Sequence, residues 1–318
     1  MKNLRGEGFT VVDAETHERV GELGSGKHPH AVAVHPGGRW AFVPFMTSGT
    51  VEVVDLRALA VTDTTDAVGE APVGAAVTRG GRYLFVTSYG PLPGRVAPGI
   101  TVFETDAGHG SLSLVDHLPV GKAAGVVVDA ANTVWVALKD ENAIVRLDGT
   151  PPFAERDRFP VAADPQDVAY SQAYGLLGVN GVDAGRVTFV DTLDGELLAD
   201  VPAPNPRGGT AVPAHDRWFV SDTDGDGLTV VDLDAVRRGS GGASAVERIT
   251  QGQPPRSPTP RRTAATSSWT RTTTTASPSS TQRRSPFALA SGPARRRTTR
   301  SSPRTAARVT CRTWTPTR

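Results

Sequence analysis

A strand motif ending in an acidic residue returns every 41 to 49 residues, with about four short apolar runs in each interval and no helix-period stretch. These features predict an all-β chain, a β-propeller of four-stranded blades. The motif reads Thr10-Val11-Val12-Asp13, Val53-Val54-Asp55, Thr101-Val102-Phe103-Glu104, Val145-Arg146-Leu147-Asp148, Thr188-Phe189-Val190-Asp191 and Thr229-Val230-Val231-Asp232. A twisted sheet that is apolar on both faces is unstable alone and must stack on its neighbours, which is the physical content of such a period.

The unit is plainest from His28 to Asp55. Pro29 opens it, Ala31 to Val34 form a first apolar run, and His35-Pro36-Gly37-Gly38 turns the chain. Trp40 to Val43 is the second run, a polar turn follows, and Thr50 to Asp55 is the third. The first two runs return as GAAVTRGGRYLFV from Gly74, GVVVDAANTVWVAL from Gly125, DVAYSQAYGLLGV from Asp167 and GTAVPAHDRWFV from Gly209. A fourth strand is expected after the acidic residue, as at Arg19 to Leu23 or Glu196 to Val201. Five complete units and one partial unit fit within residues 1–250.

These residues resemble the YVTN-type β-propeller repeat family. Its unit runs from Gly-x-x-Pro-x-Gly-Val-Ala-Val-x-Pro-Asp-Gly through Val-Tyr-Val-Ala-Asn to Thr-Val-x-Val-Ile-Asp. The match spans residues 7 to about 255 and is best over His30 to Val43 and Gly74 to Val86, with Gly37 and Gly80 where the family has Asp. The resemblance implies a seven-bladed ring, related in fold to lactonase-like propellers.

Composition divides the chain into residues 1–250, the blades, and residues 251–318, a low-complexity tail rich in Arg, Thr, Ser and Pro. Of the 34 Lys and Arg, 14 are Arg in the tail, which has no Asp, Glu or Lys; 20 remain ahead of it against all 33 Asp and Glu. A natural Arg-rich arm for nucleic acid is one reading of the tail, although Arg without interleaved aromatics at ordered spacing argues only weakly for recognition. The genetic code offers another. If Ser is TCN and Arg CGN, the frame that begins on the third base of each codon reads NTC before every Ser and NAC before every Thr. With GC-rich wobble bases, Ser267 to Arg284 conceal Val-Val-Asp-Ala-Asp-Asp-Asp-Asn-Gly-Val-Thr-Val-Val-Asp-Thr-Ala-Thr, the blade motif again. Arg262 to Trp269 likewise allow Asp-Gly-x-Tyr-Val-Val-Val, the counterpart of Gly80 to Val86. The expectation is a frameshift between about Thr250 and Arg256 that replaces the last blades.

The N-terminus lacks the apolar run of a secretory signal and no stretch approaches membrane-spanning length, so the expected location is cytoplasmic, with no membrane partner. Cys311 is the only cysteine, which excludes an internal disulfide and a CxxC metal set.

Candidate chemistry falls on the loops that lead into each innermost strand. They carry Lys27, His28, His30, Lys122, Gln166, Asp167 and Arg207. Converging from separate blades, these residues suit a small anionic ligand or a partner peptide at the channel mouth, or a metal held by His28, His30 and Asp167. Polar loops lining a wet channel are the plainer reading. Asp222, Asp224 and Asp226 spell the opening of a calcium loop, but Leu233 stands where the bidentate Glu belongs, and a hairpin rich in Asp and Gly is expected there anyway. His17, His35, His109, His117 and His215 are expected in solvated turns, and Trp40, Trp135 and Trp218 in packing between blades. No Gly-x-Ser-x-Gly elbow occurs. Three functions follow: a binding or scaffold propeller, a lactonase-like hydrolase of a sugar lactone as the resemblance permits, and a haem- or quinone-associated propeller using His28 or His30.

Overall fold

The computed structural model of the protein describes residues 7–223, 227–239 and 246–250. They form five four-stranded antiparallel sheets and one two-stranded sheet. The two-stranded sheet pairs β1 (Glu7–Val12) with β2 (Arg19–Lys27). The first blade runs β3 (Ala33–Val34), β4 (Trp40–Phe45), β5 (Thr50–Asp55) and β6 (Ala60–Thr65), and the second β7 (Pro72–Val77), β8 (Tyr83–Pro91), β9 (Pro98–Asp106) and β10 (Ser111–Leu118). The third comprises β11 (Ala123–Val128), β12 (Thr133–Leu138), β13 (Ala143–Asp148) and β14 (Glu155–Pro160). The fourth comprises β15 (Pro165–Ser171), β16 (Leu176–Gly181), β17 (Arg186–Asp191) and β18 (Leu197–Pro202). The fifth comprises β19 (Pro206–Val212), β20 (Arg217–Asp222), β21 (Gly227–Asp232) and β22 (Val246–Thr250).

Each blade is an up-and-down meander whose first strand adjoins the first strand of the next: β3 meets β7, β7 meets β11, β11 meets β15 and β15 meets β19. The first strand is therefore the innermost, and the architecture is the β-propeller that the repeat spacing predicts. Innermost strands crowd together, so small residues are needed there. A Cβ on Gly74 would come within 2.7 Å of the Ala124 carbonyl oxygen, and one on Gly125 within 2.7 Å of the Val168 nitrogen.

The core lies between blades. Phe42, Val53 and Trp40 of the first blade pack with Leu84, Val86 and Phe103 of the second. Phe85, Ile100 and Val102 of the second pack with Val134, Val136 and Leu147 of the third. Trp135 and Ile144 meet Leu177, Val179 and Val190 across the next interface. Phe189 stands edge-on to Trp218 at 5.4 Å between the fourth and fifth. The predicted role of the tryptophans holds: all three are buried at these seams, and the Trp40 indole N–H reaches the second blade's Ala107 carbonyl at 2.8 Å.

The acidic end of the motif has a structural cause. Trp40↔Asp55, Tyr83↔Glu104, Thr133↔Asp148, Leu176↔Asp191 and Arg217↔Asp232 occupy one register position. From there a carboxylate caps the turn into the fourth strand, except in the third blade, where Asp148 pairs with Arg156 instead. Asp55 Oδ1 accepts from the Arg57 and Ala58 N–H groups at 2.8 and 3.0 Å, and Asp13 Oδ1 accepts from Glu15 and Thr16 at 2.8 Å. Two details differ from the motif reading. β9 runs past Glu104, so Asp106 makes the cap in the second blade, to the Gly108 and His109 N–H groups. After Asp232 the chain forms a short helix, α1 (Leu233–Arg237), before the fourth strand, because Asp232 Oδ1 caps the Ala235 N–H and Leu233 and Val236 bury at the seam.

Among the described residues no helix is long and apolar enough to cross a membrane.

Burial pushes the Asp55 carboxyl up, but the Arg39 guanidinium and the Ala58 and Arg57 N–H groups outweigh it and hold the group below its ordinary value. Asp55→Ala is expected to cost about 1–2 kcal/mol in urea unfolding at neutral pH. Because the folded carboxyl titrates below the unfolded one, that difference is present above about pH 4 and shrinks as acid protonates Asp55; a difference unchanged down to pH 3 contradicts the capping role.

Candidate functional site

In an up-and-down meander the loop into the first strand and the hairpin between the second and third strands fall at one end, and the other two turns at the opposite end. One backbone bond ties the first pair together in every blade. The N–H groups of Met46, Tyr89, Lys139, Val182 and Thr223 donate to the carbonyls of His28, Ala71, Lys122, Asp164 and Asn205, at 2.9, 3.3, 2.9, 3.0 and 3.5 Å. The residue ahead of the first strand also repeats a left-handed backbone: φ is 61° at His28, 50° at Ala71, 56° at Asp164 and 40° at Asn205, with Gly121 at 106°. Outside Gly121 a proline follows each of these, so the strand starts at a fixed φ after a sharp reversal.

This frame gathers side chains from four blades. Arg207 is held by Asn205, which accepts from Nε at 3.0 Å, and by Gln166, which accepts from a terminal nitrogen at 2.7 Å. Gln166 in turn donates to Asp164 at 2.6 Å. Asp164 is buried and also takes Lys139 at 2.7 Å, while its backbone N–H donates to Asn142 at 3.0 Å. Lys122 lies 3.3 Å from Asp140 and 5.8 Å from the centre of the Tyr89 ring. Tyr89 sits where these charges overlap. Burial pushes its phenol up to about 12; Asp164, Asp167 and Asp140 add to the rise and Arg207 offsets part of it. The group is therefore a neutral hydroxyl at any physiological pH.

Of the seven predicted residues, Gln166 and Arg207 are bonded directly, and Lys122 and Asp167 join them around Tyr89. Lys27, His28 and His30 belong to the first blade. Lys27 is exposed and its backbone N–H donates to Ser48 at 2.6 Å. The His28 and His30 rings lie 5.7 Å apart and tilted, and His30 Nδ1 is 2.8 Å from the Val73 carbonyl oxygen. Among the described residues no three His, Cys, Asp or Glu are close enough to share an ion, so His28, His30 and Asp167 are not gathered into a metal centre.

Of the calcium-loop carboxylates, Asp224 and Asp226 lie outside the described residues. Asp222 is buried and paired with Arg248 on the outermost strand of its own blade. His117 departs from its expected surface place: it is on β10, buried, with Nε2 3.1 Å from the Ala97 carbonyl oxygen. His109 is exposed and paired with Asp106 at 2.7 Å.

Sequence reasoning missed Tyr89, Lys139 and Asp140, which come from the second hairpins, and Asp164 and Asn205, which precede the prolines. Meander parity carried the signal for the hairpin residues, since it puts them at the same end as the predicted loops. At the opposite end a cavity of about 610 Å³ opens between the third and fourth blades, lined by Arg146, Arg156, Asp148, Asp157 and Tyr170. Its charges are spent on each other, Arg146 on Asp157 and Arg156 on Asp148.

No protein-family model and no curated protein matches the chain. Among solved structures, dihydro-heme d1 dehydrogenase NirN in complex with DHE is similar, with a TM-score of 0.59 and 21% identity over 80% of this chain and 57% of that one. The chain thus spans a little over half the length of that protein. Hydrazine synthase of Kuenenia stuttgartiensis has a TM-score of 0.48 and 18% identity, over 71% of this chain and 88% of that one. The likeness to NirN is one of fold, the β-propeller.

Phenolate absorbance checks the electrostatics. One tyrosine is expected to ionise last, near pH 12, and Tyr89→Phe removes that step. Asp164→Asn lowers the midpoint by removing a negative charge, and Arg207→Met raises it; shifts of opposite sign contradict the arrangement.

Proposed function

We propose that the chain is a binding propeller of YVTN type whose channel mouth takes a small anionic ligand. The support for the family is internal: the acidic end of the motif recurs in one register through all five blades, and in the first, second and fourth a carboxylate caps the turn that follows. The observation that carries the ligand reading is Arg207. Asn205 and Gln166 occupy its Nε and one terminal nitrogen, which orients the guanidinium and leaves its other terminal nitrogen for a ligand. The protonated Tyr89 hydroxyl supplies a donor in the same cluster, and Lys122, paired with Asp140, stands 5.8 Å from the Tyr89 ring. A carboxylate on a compact scaffold suits that set.

Calorimetric titration of the full chain with small mono- and dicarboxylates and sugar acids tests this. One class is expected to bind, and Arg207→Met to weaken it at least about tenfold, some 1.4 kcal/mol. Binding that survives Arg207→Met unchanged, binding only of peptides, or no binding by any of these anions overturns the reading.

A second reading, a haem-associated propeller, draws on the likeness to NirN, whose structure holds DHE, and on the paired His28 and His30. It predicts a visible-absorption shift on adding haemin that His28→Ala and His30→Ala abolish. A spectrum equal to that of free haemin rejects it.

A further inference from the structure

The row of described blades is incomplete at both ends, and in a specific way. At one end, β1 carries the Thr-Val-Val-Asp motif that every other blade carries on its third strand, so β1 and β2 hold the third and fourth positions of a blade. Among the described strands nothing fills that blade's two inner positions. Phe9 and Val11 nevertheless pack on Ala41, Val43 and Phe45 of the first blade as a full blade would. At the other end, Trp218 and Val220 of β20 face the fourth blade, and pleating turns the residue between them, Phe219, to the onward side with Leu228 and Val230. Val230 and Leu228 stand in register with Phe189 and Val187, the fourth blade's residues for meeting its successor.

The tail's composition says where the missing strands went. Shift a GC-rich frame by one base and GAC codons read as Thr, GTC as Ser, GGC as Ala, GCG or CCG as Arg, and GCC or CCC as Pro. An Asp-, Val- and Gly-rich blade therefore reads as a chain of Thr, Ser, Ala, Arg and Pro without acidic residues, which describes residues 251–318. Beyond the sixth motif already seen, the same frame across Ser301 to Thr315 permits Val-Val-x-Pro-Asp-Gly-Arg-x-x-Tyr-Val-Pro-Asp-Val-Asp. The final Asp is fixed, because Trp has one codon. Without a gap this matches Ala33-Val34-His35-Pro36-Gly37-Gly38-Arg39-Trp40-Ala41-Phe42-Val43-Pro44, the two inner strands of the first blade. Spacing agrees as well. The concealed turn at Ala306 falls 25 positions after the concealed motif end at Thr281, as Gly38 does after Asp13 and Asp216 after Asp191.

We propose that the gene encodes, one base out of frame after about Arg256, a sixth blade and the inner two strands of a seventh, and that β1 and β2 are the outer two strands of that seventh blade. The two-stranded sheet is then the outer half of a closure between the chain's two ends, and β1 and β2 gain the two inner strands that the other blades have.

Two experiments decide it. Sequencing the DNA for residues 250–318 is expected to show TCN for Ser267, Ser268, Ser301 and Ser302 and CGN for the arginines, with the blade motifs legible in the adjacent frame. AGC serines or AGA arginines at these positions overturn the proposal. A gene with one base inserted near the Arg256 codon is then expressed beside the 318-residue chain. The restored chain is expected to melt in one transition at least about 10 °C higher, and Phe9→Ala to lower that midpoint. Equal melting of the two chains overturns the closure, as does completion of the two-stranded sheet by residues upstream of Met1.

Discussion

The structure depends on one constraint: each blade is apolar on both faces and is stable only against a neighbour. Almost every large buried side chain lies at a seam between sheets, from Phe42 and Phe103 through Phe85 and Val136 to Phe189 and Trp218. Seams of this kind propagate, so each blade fixes the position of the next. The small residues of the inner strands follow from the same constraint, since radial sheets converge on an axis where Gly74 and Gly125 admit the next backbone.

Polar chemistry is displaced to the ends of the strands, where the blade has backbone groups to satisfy and no seam to fill. At one end the carboxylates of Asp13, Asp55, Asp106 and Asp191 hold the turn into the fourth strand. At the other, the loop into each inner strand is bonded to the second hairpin, through its left-handed residue in every blade but the third, and this support holds Gln166 between Asp164 and Arg207. The candidate site is thus a product of the scaffold: loops from the second to fifth blades reach one another because the seams bring their inner strands together.

The fold was legible in the chain because its determinants are local and repeated. The period, the alternation and the Asp at one register position each report on a single blade. The site was legible only in half. Gln166 and Arg207 could be read as inward-leading residues of their loops, but Tyr89 reaches them from the second blade, and nothing in its Thr-Ser-Tyr-Gly context marks it. Asp164 is a similar case: its burial and its pairing with Lys139 depend on where the third blade's hairpin lies. The helix after Asp232 was hidden for a different reason. The capping carboxylate serves a turn and a helix equally, and the burial of Leu233 and Val236 at the seam selects the helix.

The central claim, that blades are stabilised by their neighbours, is tested most directly by native-state hydrogen exchange on the full chain. The second strands of the interior blades, β8, β12 and β16, are expected to exchange slowest, with protection falling toward β1 at one end and β21 at the other. Equal protection of β1 and β12, or slow exchange in a single blade excised from the rest, would contradict it.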